Sequence, residues 1–371
     1  MKKLIVVLAL VLTAVLVFSS CANRGNEDEI RDSMTTPDLS QVLDDLKDSF
    51  ETADPEGSGM AVAEILYKAY DDHAEVIGCD TPVGEVRILA EFEGKPVTVI
   101  ADGAFSNKNT ISSVVLPEGI TTIGARAFMS CAMMESVNIP NSVETIGTYA
   151  FFGCAALEEL TVGAGVKTVG DNAFSSCNMI KEFKIADGNT ALAVDGGVLF
   201  SADKTTLVAY PTAAEAAEYT IPASVKKVNS FAFAYAANLT KVSMSNVTDL
   251  GDYTFSSCFK LEKVELGQGL TAIGAGLFRK CYALKSIVIP EGVKSIGYLD
   301  AEGNEAGSAF QNCMSLKEIT LPSTLTNVYR GSFYGCDALA KVNFNGSAEQ
   351  WSQVTVSDGN NALSDAAVVT K

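Results

Sequence analysis

The nine cysteines are the residues of this chain best equipped for chemistry, as nucleophiles, metal ligands or disulfide partners. Seven of them (Cys131, Cys154, Cys177, Cys258, Cys281, Cys313 and Cys336) hold one recurring place, three residues after an aromatic or apolar position occupied by Phe. No CxxC pair occurs, and an ordinary zinc site needs paired spacing or histidine partners. Like positions in successive coils stack at strand spacing, and an unionised Cys packs as a small hydrophobe. The pattern therefore predicts a buried ladder of thiols, with Cys79 packed in the starting half-repeat. Disulfides along the ladder depend on Cα separation and compartment, and the sequence leaves them open. The single histidine, His73, stands six residues before Cys79, an offset that matches no catalytic dyad, and reads as a surface residue. Glu158 and Glu159 are strand neighbours that point to opposite faces, so alone they cannot flank a glycosidic bond. Asp300, Glu302, Asn304 and Glu305 space oxygen ligands as a calcium loop does, but the full loop pattern is missing and a solvated loop is expected. No phosphate-binding glycine loop, nucleophile elbow or HExxH is present. These residues predict a chain that is not an enzyme and that carries no metal or cofactor.

The elements that hold these cysteines repeat. One frame starts at Ile100, Ile123, Ile146, Val169, Val228, Leu250, Ile273, Ile296 and Val328, and the first four starts are 23 residues apart. A fixed period of that size is the mark of a solenoid. In the unit that begins at Ile123, Gly124 is expected to permit a turn. Ala127, Phe128 and Cys131 face inward at the spacing of one helical or 3₁₀ turn. Met134, Val137 and Ile139 then alternate as a strand with one buried face, and Pro140, which has no N–H to donate, closes it. Phe105, Phe128, Phe151, Phe174, Phe233, Phe255, Phe278, Phe310 and Phe333 are expected to form one internal column.

The same alternation sends a second set of residues outward. They include Ser113, Ser136, Asn138, Glu159, Thr161, Glu182, Lys184, Lys241, Ser243, Lys263, Glu265, Ser286, Val288, Glu318, Thr320, Lys341 and Asn343. The face is polar and mixed in charge, without an aromatic. It suits broad contact with a protein and fits poorly with a small-molecule pocket, which needs apolar and aromatic lining.

The formal charge of −18 argues against nucleic acid, which needs a basic stripe. Residues 1–20 read as an export signal: Lys2 and Lys3, then an apolar run of about 15 residues, too short to span a bilayer. The Phe18-Ser19-Ser20-Cys21 end resembles a bacterial lipobox, with Phe in the place usually held by Leu. It implies lipidation at Cys21 and a membrane-anchored, Sec-exported protein; ordinary secretion is the alternative. Residues 21–36 read as a flexible acidic tether, and 37–72 as a short helical cap with helices over 38–50 and 60–70. The repeats run over 73–341. They are expanded at 186–227 by a hairpin (198–201, then 207–210) and interrupted at 298–307 by an acidic loop. Residues 342–371, with the only Trp (Trp351), read as a closing cap.

The frame resembles the BspA-like, or Treponema pallidum-type, leucine-rich repeat family, whose hallmark is IG-x-x-AF-x-x-C-x-x-L-x-x-V-x-IP. The stretches IGARAFMSCAMMESVNIP and IGAGLFRKCYALKSIVIP match it almost letter for letter. GVLFSADKTTLVAYP and FNGSAEQW also look like family segments. Lys108 and Ala236 depart from it at the Cys position. The resemblance covers about four-fifths of the chain. It implies a curved, β-rich leucine-rich-repeat solenoid on a bacterial surface, with some members linked to adhesion. The function expected is a non-enzymatic surface adhesion module that presents Asn138, Glu159, Thr161, Glu182, Lys184, Lys241, Lys263, Glu265, Glu318 and Thr320 to a protein of the host matrix or of another bacterium. The alternative is capture of glycans, or an envelope scaffold role, through the 298–307 loop and the 198–210 hairpin.

Overall fold

The computed structural model describes residues 64–80 and 84–371. These divide into two compact units, one ending at Met179 and one spanning Ile180–Lys371. Each is a β-solenoid whose successive coils pair largely in parallel, with very little helix.

In the first unit one ladder runs through Ala74–Cys79, Lys95–Ile100, Thr122–Ile123, Thr145–Ile146 and Thr168–Val169. Its register pairs Ile100 with Ile123, Ile123 with Ile146, and Ile146 with Val169. The second ladder joins Gly84–Arg87, Ile111–Val115 and Ser136–Val137. In the second unit the expanded repeat forms the expected hairpin, Val198–Ser201 against Thr206–Ala209, whose second strand pairs in parallel with Lys227–Val228. Glu218–Thr220, Lys241–Ser243 and Lys263–Glu265 form one parallel sheet. Ser286–Val288, Glu318–Leu321, Lys341–Phe344 and Ala367–Val369 form another.

The core is the predicted column of rings. Phe105, Phe128, Phe151 and Phe174 stack with centroids 5.1, 5.3 and 5.9 Å apart. In the second unit Tyr210 lies 4.8 Å from Phe233, and the stack continues through Phe255, Phe278, Phe310 and Phe333 at 5.1, 5.5, 5.2 and 5.1 Å. These spacings slightly exceed the strand separation of about 4.7–4.9 Å. Rings tilted a little from the coil plane stack at such offsets without losing contact.

The turn that carries each Phe is not the expected 3₁₀ helix. Bonds of the i→i−3 kind do form, such as Cys131 N–H to Phe128 O, but every other amide donates to the next coil, as Phe128 N–H does to Ala150 O. This alternation needs left-handed residues on both sides of the ring. Arg126 and Ser130 bracket Phe128 at φ 57° and 59°, and Tyr253 and Ser257 bracket Phe255 at 55° and 60°. A helix would satisfy its amides within itself, whereas these turns stitch coil to coil.

Gly124, Gly147, Gly170 and Gly251 follow the ladder strands, and their requirement is space rather than a left-handed φ. A Cβ on Gly147 would lie 2.5 Å from Ala125 N, and one on Gly251 would lie 2.3 Å from Ser230 N. Neighbouring backbones pass too close there for any side chain.

Three segments depart from the sequence reading. The helix expected over 60–70 is, in its described part, a strand: Ile65–Ala69 pairs antiparallel with Ala74–Cys79. A short apolar run of β-branched and aromatic residues is ambiguous by period, and an open sheet edge decides the outcome. The helix expected over 38–50 lies outside the described residues, as do the export signal, the tether and Cys21. The 298–307 insertion is a two-stranded hairpin, Tyr298–Leu299 against Glu305–Ala306. Finally, residues 342–371 do more than close the end. Thr355–Val356 and Ala367–Val369 each add one more parallel strand to a ladder, so the segment is a last, degenerate coil. Its Trp351 ring lies 5.2 Å from Phe344.

Candidate functional site: the outward sheet face

The thiol ladder is structural. Among the described residues Cys79 and the seven repeat cysteines are buried and stand outside any disulfide. Each repeat Sγ donates to the carbonyl of the Phe one coil back: Cys131 to Phe105, Cys154 to Phe128 and Cys281 to Phe255, at 3.0–3.1 Å. Burial raises the Cys131, Cys177 and Cys258 thiols to about 12 and holds Cys154, Cys281 and Cys313 well above the usual thiol range. A thiol kept protonated at neutral pH is a poor nucleophile and a poor metal ligand. No group of three or more His, Cys, Asp or Glu among the described residues could hold a metal ion. His73 is half-buried; its ring stacks on Tyr70 at 4.8 Å and its Nδ1 lies 2.7 Å from Asp72 Oδ1. Those contacts fix the turn between the first two strands.

In both hairpins an aspartate carboxylate is engaged within its own turn. Asp300 Oδ1 accepts from the Glu302 and Asn304 amides, and these bonds lower its carboxyl below the ordinary range. Asp203 Oδ1 accepts from the Ser201 hydroxyl and from Thr205. Each carboxylate ties off its own turn. Tyr298 reaches back to Asp252 Oδ2 at 2.6 Å and anchors its hairpin.

The outward face alternates as predicted. Asn138, Glu159, Thr161, Glu182, Lys184, Lys263 and Glu265 are exposed, Lys241, Glu318 and Thr320 are half-exposed, and the residues between them are buried. Asn138 has a structural partner: its amide accepts from Leu116 N–H and donates to Leu116 O, both at 2.9 Å. It replaces the ladder bonds that end where Pro140 begins. In the second unit the charges organise each other. Lys241 Nζ lies 3.9 Å from Glu218 and 3.6 Å from Glu265, and Lys263 Nζ lies 2.7 Å from Glu265. The Lys263 ammonium and the Ser243 hydroxyl hold the Glu265 carboxyl down to about 2. Two strands further on, Glu318 accepts from Lys341 Nζ at 2.9 Å and from Asn343 Nδ2 at 2.5 Å.

Between these two charged groups lies Ser286–Val288. Lys263–Glu265 and Ser286–Val288 pack side by side without ladder bonds, and a shallow depression opens there beside Gln268 and Val288. Val288 is 62% exposed, the most exposed of the large apolar side chains described. Sequence reading missed Glu218 and Thr220 on this face. The signal was present, because Glu218-Tyr219-Thr220-Ile221-Pro222 repeats the strand-then-Pro pattern.

The comparisons agree with this architecture. A leucine-rich cell surface protein from Faecalibacterium prausnitzii is 24% identical over 81% of this chain and 98% of its own, with a TM-score of 0.47. The pneumococcal vaccine antigen PcpA is 20% identical over 83% of this chain and 96% of its own, with a TM-score of 0.51. A leucine-rich repeat protein from Eubacterium ventriosum is 17% identical over 81% and 92%, with a TM-score of 0.55. The last two share the fold. No curated protein matches the chain significantly. Six copies of the BspA type leucine rich repeat region match residues 92–195, 209–299 and 306–363, and the chain belongs to that family.

Proposed function

We infer that the protein is a non-enzymatic, surface-exposed binding module that presents its outward sheet face to a protein partner on host matrix or on another bacterium. The observation that carries this reading is the register of the face. Lys241 pairs with Lys263 and Ser243 with Glu265 on parallel neighbours, so polar side chains stand in fixed rows on a rigid backbone. Rows of positioned, partly compensated charges set orientation and on-rate in protein association, and an exposed aliphatic such as Val288 supplies a desolvated centre. Solenoids of this family are typically non-enzymatic, and the described cysteines are buried in the core. Export through residues 1–20 and lipidation at Cys21 complete the proposal and account for the surface location. Among the described residues no helix is long and apolar enough to cross a membrane.

The test is retention of the full chain on immobilised host matrix proteins, with Lys241→Glu plus Lys263→Glu as the variant. Exposed ion pairs contribute only about 0–1 kcal/mol, so the melting temperature should hardly move. Retention should fall by about tenfold, the equivalent of one lost charged contact. Unchanged retention by a folded variant removes this face from the function.

A further inference from the structure

The turn that joins Ile65–Ala69 to Ala74–Cys79 carries the only histidine of the chain. His73 Nδ1 lies 2.7 Å from Asp72 Oδ1, and its Nε2 lies 3.5 Å from Glu75 Oε1. Both ring nitrogens therefore face a carboxylate. A neutral imidazole has one N–H, so it meets one of the two acids with a bare lone pair; only the imidazolium donates to both. The ring is held in this place. It stacks on Tyr70 at 4.8 Å and 7°, and the Tyr70 hydroxyl donates to Glu75 Oε2 at 3.2 Å. Tyr70 and His73 thus converge on one carboxylate from across the turn.

Lys68, Asp71 and Lys95 complete the charges of the turn and of the three strands around it, Ile65–Ala69, Ala74–Cys79 and Lys95–Ile100. Lys68 Nζ lies 4.7 Å from the centroid of the Tyr70 ring, and Lys95 Nζ donates to Asp71 O. The two lysines oppose a charge on His73, but Asp72 and Glu75 touch the ring and outweigh them. The bond to Asp72 is the first cause that raises the His73 pKa above its ordinary value, and the same bond leads those that lower Asp72. Ile65–Ala69 is the end strand of its sheet, paired among the described strands with Ala74–Cys79 alone. At the turn, Tyr70 N–H donates to His73 O at 2.8 Å. An end strand held along one edge is the part of a ladder that opens most easily.

We propose that His73 is a pH-operated clasp: its imidazolium bridges Asp72 and Glu75 and locks Ile65–Ala69 onto the end of the ladder, and loss of that proton to water loosens the strand. The histidine pKa is raised in the closed hairpin. Its contribution is therefore fully present below about pH 6.5, the value of an unconstrained histidine, and is lost as pH rises through the folded value. The end of the first ladder is closed in mildly acidic surroundings and loosened above them. Loosening bares the edge of Ala74–Cys79, and an open edge accepts a further strand. The inference is independent of the sheet-face reading, since it uses none of those residues.

One histidine gives one imidazole Cε1–H signal, so proton NMR of the full chain titrates His73 directly. The expected midpoint lies above that of the same chain in denaturant, and moves down toward it in Asp72→Asn and in Glu75→Gln. Hydrogen exchange, corrected for its intrinsic dependence on pH, follows the Tyr70 amide and the strand Ile65–Ala69. Protection there should fall as pH rises through the folded midpoint, by a factor approaching ten raised to the difference between the folded and denatured midpoints. Ile146, in the middle of the same ladder, should keep its protection. His73→Gln, which takes up no proton, should remove the pH dependence of the end strand, and melting curves confirm that each variant is folded. A folded midpoint at or below the denatured one, protection that stays flat through the folded midpoint, or the same pH dependence in His73→Gln would overturn the proposal.

Discussion

Phe255→Ala should cost roughly 3–5 kcal/mol, the largest loss available to a single side chain here. The ring is fully buried, between Phe233 at 5.1 Å and Phe278 at 5.5 Å, so truncation opens a cavity inside a continuous stack. Its backbone carbonyl also accepts from Cys281 Sγ at 3.1 Å, so any shift of the turn loosens the thiol ladder as well. Because each coil is stabilised by its neighbours, hydrogen exchange should accelerate first in the coils of Phe233 and Phe278. Lys263→Ala is the control: its side chain is largely exposed and its ion pair with Glu265 contributes about 0–1 kcal/mol. Calorimetry that finds equal effects from the two would show the inward and outward assignment to be wrong.

Gly147→Ala should destabilise by about 1–3 kcal/mol although it adds a single methyl group. The new Cβ would lie 2.5 Å from Ala125 N and 2.6 Å from Gly124 C, atoms of the neighbouring coil's backbone that cannot rotate away. Gly78→Ala makes the matched control, since a Cβ there meets only Leu66 Cδ1 at 3.6 Å and Ala104 O at 3.8 Å. A chemical-denaturation midpoint that drops for Gly147→Ala and holds for Gly78→Ala supports close coil contact. Equal midpoints would mean that the coils separate more easily than their hydrogen bonds imply.

The repeat architecture was legible because every coil reuses one length and one set of inward residues. Phe128, Cys131, Val137 and Ile139 announce turn and strand by type and spacing alone, and strand alternation then places Glu159 or Lys263 outward. What stayed hidden depends on the offset between coils. Nothing local to Asn138 says that its amide will bridge both backbone groups of Leu116, 22 residues earlier. The glycines after the ladder strands looked like turn residues, and only the stacked backbones show that they are needed for clearance. Ile65–Ala69 could have been helix or strand by period, and pairing with Ala74–Cys79 settles it. The last coil was obscured because it keeps ladder positions such as Val356 and Val368 while dropping the Phe and the Cys. The charge network around Lys241 needed the register, which joins Glu218, Glu265 and Lys263 from three strands.

The central claim, that successive coils bury each other's rings and thiols, is tested most directly by mapping thiol alkylation residue by residue in the native chain and after denaturation without reductant. The account predicts that Cys79, Cys131, Cys154, Cys177, Cys258, Cys281, Cys313 and Cys336 resist modification when folded and are all labelled when unfolded. Rapid labelling of the repeat cysteines in the folded chain, or their persistence as disulfides after unfolding, would contradict it.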